Sequence, residues 1–376
     1  MTTEISTTKN KFVLGNRPEL TTLRFPLAFL VLVAHNSASW AFGDWMVLSW
    51  WFGLSGFLIT TILLTEFDRT GAISLRKFYE RRLAKIFPPL LAVFIITAVL
   101  GWIVNQGDYN HMVLRDGLFS LVFLEDYRVG LNLFNQKFSM FAHTWTVSVE
   151  EQFYLMWSML VIYFIVKKRN VRGLTIVAII LLIVFTASRI TIWEIYHDPR
   201  MVYYTFHTRA DALMYGCLLA IFLNQGRFTN LTERGLKYLK YLTIICTIAM
   251  LYVLAFVQWD TTATYTWAMP VTEFGSVVTI LYLVSKPNPK IIKFLQNKIL
   301  VHCGKVTYSA YLIHWIIIIY TLNYLPKMNL FLLFGIRLIL VAISTEILYN
   351  IIEMPMRKIR KRKFTPEQLK PDAATL

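Results

Sequence analysis

"LRFPLAFLVLVAHNSASW" (residues 23–40) is long and apolar enough to begin a membrane span, yet it carries Arg24 at one end and His35 near the other. A soluble amphipathic helix would place polar residues at every third or fourth position, and none stands between these two. An ionisable side chain in hydrocarbon costs a few kcal/mol or more, so it normally faces a cavity or a partner. Eleven residues are close to three helical turns, about 1,100°, which puts both side chains on one face about 16 Å apart along the axis. Arg24 is then expected near the cytoplasmic surface and His35 toward the outer half, deep inside. Taken alone, Arg24 also reads as a snorkelling anchor and His35 as a capping or interhelical hydrogen-bonding group.

The rest of the chain repeats the apolar pattern. Its 376 residues are 56% hydrophobic and 16% charged, with a mean hydropathy of +0.51. A soluble domain carries about a quarter charged residues. Continuous apolar runs, rather than short alternating strands, exclude a β-barrel reading. The net charge of +16 does not point to nucleic acid, because the basic residues cluster in short loops between apolar runs, where they meet lipid headgroups. Cys217, Cys246 and Cys303 have no metal or redox spacing and read as small apolar side chains.

Hydropathy predicts an all-α polytopic membrane protein of about ten transmembrane helices, at 22–39, 45–66, 86–105, 147–166, 173–188, 208–225, 239–258, 266–285, 306–325 and 329–352. With the N-terminus in the cytoplasm, 30 of the 38 Lys and Arg fall on the cytoplasmic side, seven on the opposite side, and Arg337 inside the last span. That asymmetry predicts both termini in the cytoplasm and an uncleaved first span. The expected organisation is a cytoplasmic tail (1–21), a membrane-embedded domain (22–352) and a basic cytoplasmic tail (353–376), without fixed structure from Arg357 onward. The long outer stretch 106–146 contains "GLFSLVFL" (117–124), which is too short to span and is expected to lie in the interface.

Several polar constellations interrupt the apolar background. "WFGLSGFLITTIL" (51–63) contains Ser55-Gly56, which admits close helix packing. "LRKFYERRLAKIFPPLL" (75–91) crowds Arg81, Arg82 and Lys85 at the start of the third span, with Pro88-Pro89 expected to shape the helix start. Arg82 and Lys85 share a helical face and can hold phosphates, or serve as ordinary headgroup contacts. "HTWTVSVEEQFYLMW" (143–157) gathers His143, Trp145, Ser148, Glu150 and Glu151 at an outer span start. The two glutamates point about 100° apart, so one at most faces a given cavity well. "FHTRADALMYGCLLA" (206–220) supplies Arg209 and Asp211, and "GKVTYSAYLIHW" (304–315) supplies Tyr308, Tyr311 and His314. "YNIIEMPMRKI" (349–359) closes the last span. For Glu273, Arg337 and Glu346, further intramembrane charges, structural pairing is the expectation.

The order of these pieces resembles the acyltransferase-3 family of integral membrane O-acyltransferases. The resemblance runs through "LTTLR" to His35, "LSGFLI", "FYERRLAKIFP", "HTWTVSVEEQFY", "TRADALMYG", "GKVTYSAYLIH" and "IEMP", nearly the whole chain. The family's first-span Asp is Thr21 here, the second arginine of its Arg-x-x-Arg is Lys85, and its Trp-Ser-Leu is Trp145-Thr146-Val147. Lys85 keeps the charge but loses the planar fork of arginine.

The resemblance implies transfer of an acyl group, usually acetyl, from cytoplasmic acyl-CoA to a hydroxyl of an extracytoplasmic acceptor, a surface glycan or a lipid-linked sugar. It implies the standalone form without a fused hydrolase domain, a place in the bacterial cytoplasmic membrane, no metal and no permanently bound cofactor. On this reading His35, with Arg24 and Glu150, is the catalytic group; a neutral imidazole suits a general base. Arg81, Arg82 and Lys85 would bind the CoA phosphates. Arg209, Asp211, Trp145, His143, Tyr308 and His314 would contact the acceptor. A transporter or flippase is the competing class, disfavoured because matching halves with paired broken helices are not seen.

Overall fold

Within a bilayer a backbone must satisfy its own hydrogen bonds, so the apolar runs are expected as helices. The computed structural model describes residues 12, 14–15, 17–36, 43, 45–104, 108–134, 139–285, 288–325 and 327–364, and among these there is no strand. In chain order the helices are α1 (Pro18–Thr22), α2 (Arg24–His35), α3 (Met46–Thr70), α4 (Leu75–Val104), α5 (Asp108–Leu121), α6 (Glu125–Gly130), α7 (Trp145–Val161) and α8 (Val171–Tyr196). There follow α9 (Pro199–Tyr204), α10 (Phe206–Asn224), α11 (Glu233–Phe256), α12 (Met269–Val284), α13 (Pro289–Leu295), α14 (Lys298–Tyr324), α15 (Leu330–Leu348) and α16 (Met354–Phe364). Three π-helical turns continue or precede them, at Ile162–Lys167, Thr264–Ala268 and Tyr349–Glu353.

Eight of the helical segments are long and apolar enough to cross a membrane, and the chain is an all-α polytopic membrane protein. The other two expected spans are helices outside that set. The first is described over only the twelve residues of α2. The sixth, α10, carries Arg209 and Asp211 in its first turns and is buried on nearly every side.

Other expectations are corrected. Helix α4 begins at Leu75 and continues past Pro88 and Pro89, so the prolines lie inside the helix and not at its start. Hydropathy ends the fifth span at 188 and leaves Arg189 on the outer face. Instead α8 continues to Tyr196 with Arg189 fully buried. The C-terminal segment is helical as far as Phe364 and not without structure from Arg357; residues 365–376 lie outside the described residues. The outer stretch folds as α5 and α6.

The chain divides into two compact units, the first within Met1–Ile73, Phe123–Gln136 and Thr144–Lys305, the second within Ser74–Val122, Lys137–His143 and Val306–Leu376. In the first, α3 packs along α10, and α8 and α12 flank the pair. Glycine makes the α3–α10 approach possible: a Cβ on Gly56 would overlap the Leu213 carbonyl, and one on Gly216 the Gly53 carbonyl. Leu54, Phe57, Leu219, Leu223 and Ile280 fill the space beside them. In the second unit α4 packs against α5 and α16, and the Phe94 ring meets Phe141 at 6.0 Å between centroids. Arg337, fully buried, donates through Nε to the Thr321 hydroxyl at 2.7 Å, an intramembrane charge satisfied by the neighbouring helix.

Candidate active site

In the first unit the opening helix has the length the Arg24–His35 spacing requires, since α2 begins at the one and ends at the other. The Arg24 guanidinium stands 5.8 Å from the centroid of the Trp51 ring on α3, within cation–π reach. His35 lies at the last turn of α2 and is an exposed residue. The azimuth follows from spacing, but exposure depends on neighbours that spacing does not report.

Of the two adjacent glutamates, Glu150 accepts a 2.5 Å hydrogen bond from the Ser55 hydroxyl, and Glu151 is buried. This joins "LSGFL" to "VSVEEQFY", two pieces 95 residues apart. Ser55 is thus more than a packing residue: its hydroxyl fixes a carboxylate of the expected catalytic set, as a charge-assisted bond can.

Arg209 and Trp145 share a set of aromatic neighbours. The fully buried Arg209 guanidinium lies 5.7 Å from the Phe52 centroid and 5.1 Å from that of Tyr203. Its Nη1 points at the Met269 sulfur at 2.8 Å and its Nη2 at the Ser49 hydroxyl at 3.4 Å. The Trp145 ring meets Phe52, Tyr203 and Tyr204 at 6.0, 5.2 and 5.2 Å.

Asp211 is differently engaged. It forms a short ion pair with Arg189 and accepts from the Thr186 hydroxyl at 3.1 Å and the Ala212 amide at 3.0 Å. The same arginine reaches Glu273 at 3.4 Å and donates through Nε to the Tyr265 carbonyl at 3.2 Å. Arg189, Asp211 and Glu273 are all fully buried. Asp211, expected to contact the acceptor, is therefore committed to an ion pair that ties α8, α10 and α12 together. Sequence reasoning missed Arg189, although an arginine in "TASRITIW" beside so apolar a run is itself a signal.

Next to α7, helix α6 carries buried carboxylates absent from the sequence reading, Glu125 and Asp126. Asp126 on α6 is fully buried and takes a 2.9 Å bond from Gln152 Nε2, which also donates to the Phe123 carbonyl at 2.8 Å. Its other oxygen has no hydrogen-bond partner among the described residues. Burial pushes this carboxyl up to about 6. On the same helix Glu125 and Arg128 pair through two bonds of 2.6 and 2.7 Å.

The second unit holds the remaining expected residues. The His143 ring is buried and donates from Nε2 to the Leu312 carbonyl at 3.1 Å, while the Tyr311 hydroxyl donates to the His143 carbonyl. His314 meets His143 edge to face at 5.5 Å and donates from Nδ1 to the Tyr311 carbonyl at 2.6 Å. The structure therefore gathers His143, Tyr311, His314 and Trp315 into one aromatic cluster, anchored by a 2.9 Å bond from Trp315 Nε1 to the Ser139 carbonyl. Tyr308 does not join it; its hydroxyl donates to the Ile86 carbonyl on α4 at 2.8 Å. Arg81, Arg82 and Lys85 occupy the first three turns of α4, each half-buried. Among the described residues no group of three His, Cys, Asp or Glu side chains can hold a metal ion.

A family model for an acyltransferase domain, Acyl_transf_3, matches residues 17–349. The chain belongs to the acyltransferase-3 family. It is 29% identical over 348 residues to O-acetyltransferase OatA of Staphylococcus aureus (strain NCTC 8325 / PS 47), covering 91% of this chain and 57% of that protein. It is 28% identical over 356 residues to the putative O-acetyltransferase SACOL0978 of Staphylococcus aureus (strain COL), with the same two coverages. The chain thus spans little more than half the length of these curated relatives. No solved structure matches it.

Proposed function

We propose that this chain is a membrane O-acyltransferase that moves an acyl group, acetyl on the model of its named relatives, from cytoplasmic acyl-CoA to a hydroxyl of an extracytoplasmic glycan or lipid-linked sugar. The observation that carries this reading is α2, which presents Arg24 at one end and His35 at the other within a chain of this family. His35 takes the proton of the acceptor hydroxyl as its oxygen attacks the thioester carbonyl carbon. The carbon–sulfur bond breaks, the new ester carries the acyl group, and the CoA thiolate leaves with the proton from the imidazolium. Arg24 holds its place against Trp51, and Glu150, fixed by Ser55, orients the acceptor or the imidazole. Arg81, Arg82 and Lys85 bind the phosphates of the donor, as arginine and lysine side chains commonly do.

Purified protein is incubated with radiolabelled acetyl-CoA and a membrane extract as acceptor. Labelled ester forms with the native chain and not with His35→Ala at the same level in membranes. Full activity of that variant overturns the role of His35, and vesicle uptake without covalent product overturns the enzyme reading in favour of transport.

A further inference from the structure

A guanidinium sealed from solvent normally lies against a carboxylate. Arg209, in the first unit, is fully buried, and among the described residues it forms no ion pair. The buried acids of the neighbouring turns, Asp211 and Glu273, are both taken by Arg189. Arg209 has weaker company: the Met269 sulfur at Nη1, the Ser49 hydroxyl 3.4 Å from Nη2, and the rings of Phe52 and Tyr203. Its Nε has no hydrogen-bond partner. Nε and Nη2 form one edge of the planar fork, and such an edge takes both oxygens of a carboxylate.

Helix starts build the surroundings of this arginine. Trp145 is the first residue of α7 and Met269 of α12, Arg209 stands in the first turn of α10, and Ser49 and Phe52 in the first two turns of α3. A helix start is the positive end of its dipole and favours an anion. In the span order that hydropathy predicts, these are the second, fourth, sixth and eighth spans, which all start from the outer face when the basic loops lie inside. Aromatic rings lead from the guanidinium toward the surface. Tyr203 meets Trp259 at 6.2 Å, and Trp259 is 38% exposed; Trp145 meets the half-buried Tyr204 at 5.2 Å. Deeper along the same helices lies the Ser55–Glu150 bond. Ser55 is three residues past Phe52 and Glu150 five past Trp145, a rise of roughly 5 to 7 Å.

We propose that Arg209 is a subsite for a carboxylate, and that the acceptor is therefore an acidic sugar of the uronic-acid type. The inference rests on the glycan-acceptor reading above and narrows it. The two carboxylate oxygens take the Nε–Nη2 edge, the neighbouring rings cover the apolar C–H face of the sugar, and a hydroxyl of the same ring reaches inward toward Glu150. The charge of the bound carboxylate answers that of a guanidinium which the fold has desolvated without an ion pair. A sugar phosphate offers the guanidinium similar oxygens, so the test includes one.

Full-length protein in phosphatidylcholine nanodiscs is titrated with the methyl glycosides of glucuronic, galacturonic and mannuronic acid, each beside its neutral hexose, and with glucose 1-phosphate. Binding is followed by tryptophan fluorescence. At least one uronide is expected to bind about tenfold or more tightly than its neutral partner, as a charge-assisted bidentate contact allows. Arg209→Met abolishes that preference and Arg209→Lys, which keeps the charge without the fork, retains part of it. A native chain that prefers no uronide overturns the proposal, as does a preference unchanged in the variants, or glucose 1-phosphate binding more tightly than every uronide. Where Arg209→Met does not fold, the native preference and its reduction in Arg209→Lys decide. The preferred uronide is then added to the assay with radiolabelled acetyl-CoA and membrane extract, where it should compete with ester formation and its neutral partner should not. Ester formation that the uronide leaves untouched overturns the placing of this subsite at the acceptor. Uronide binding with no ester from any acceptor overturns the transferase reading and leaves the carboxylate site standing.

Discussion

Replacing Asp126 with asparagine tests whether burial of this carboxyl is a destabilising device. Its proton affinity rises from an ordinary 3.8 to about 6. Each tenfold in proton affinity is worth about 1.4 kcal/mol, so the gap amounts to about 3 kcal/mol. The folded chain binds the proton more tightly than the unfolded one. Between about pH 4 and pH 6 the folded state still holds a proton that the unfolded state has lost, so stability falls as pH rises through that window. Above pH 6 the full penalty is in force. The amide of Asp126→Asn cannot ionise, while its carbonyl can still accept from Gln152, so the variant lacks this dependence. The assay is intrinsic-fluorescence melting of both proteins in one detergent from pH 4.5 to 8. The native midpoint should drop by a few degrees relative to the variant between pH 4.5 and 7, then run parallel to it. Curves parallel across the whole range would refute the argument, because no proton would then be exchanged at Asp126 on folding.

Three further outcomes follow from the geometry. Arg189→Ala leaves Asp211 and Glu273 buried without their cation and should cost about 3–5 kcal/mol, read as loss of monodisperse protein on size-exclusion chromatography; Arg189→Ala/Asp211→Ala should recover part of the yield. Gly56→Ala drives a methyl into the Leu213 carbonyl and should destabilise the fold by about 1–3 kcal/mol or more, read as a lower melting midpoint, whereas Gly71→Asn, at a helix-ending residue with φ 71°, should cost far less. Ser55→Ala removes the hydroxyl from Glu150; a lost charge-assisted bond of about 1.5–3 kcal/mol should lower acyl-transfer kcat about tenfold or more with the KM for acetyl-CoA unchanged, and a rise in that KM instead would place Glu150 on the donor side.

The sequence carried the helical class and the order of the polar pieces because both are local properties. The eleven-residue interval from Arg24 to His35 is a case where spacing alone predicts geometry, and α2 begins and ends on those residues. Burial was not legible there, since the exposure of His35 depends on what packs beside the last turn of α2. Hydropathy stops the fifth span at 188 because Arg189 lowers the local average, yet its ion pair with Asp211 lets the helix carry the guanidinium inward. The helix through Arg357 escaped for the opposite reason: a run of lysines and arginines has no apolar periodicity, and packing on α4 orders it. Asp126 and the Ser55–Glu150 bond depend on contacts between distant segments, for which one sequence offers no signal.

The π-turn Tyr349–Glu353 places one extra residue in what would otherwise be a continuous helix from Leu330 to Phe364. Each residue of an α-helix rotates the chain by about 100°, so the turn sets the faces of α15 and α16 out of phase by about that angle. The lipid-facing stripe of α15 and the α4-facing stripe of α16 are thereby uncoupled. Deleting a single residue from 350–352 would restore an ordinary helix and turn the face of α16 that packs on α4 by about a quarter-turn or more. At this joint a change in length is therefore more damaging than most changes in side chain.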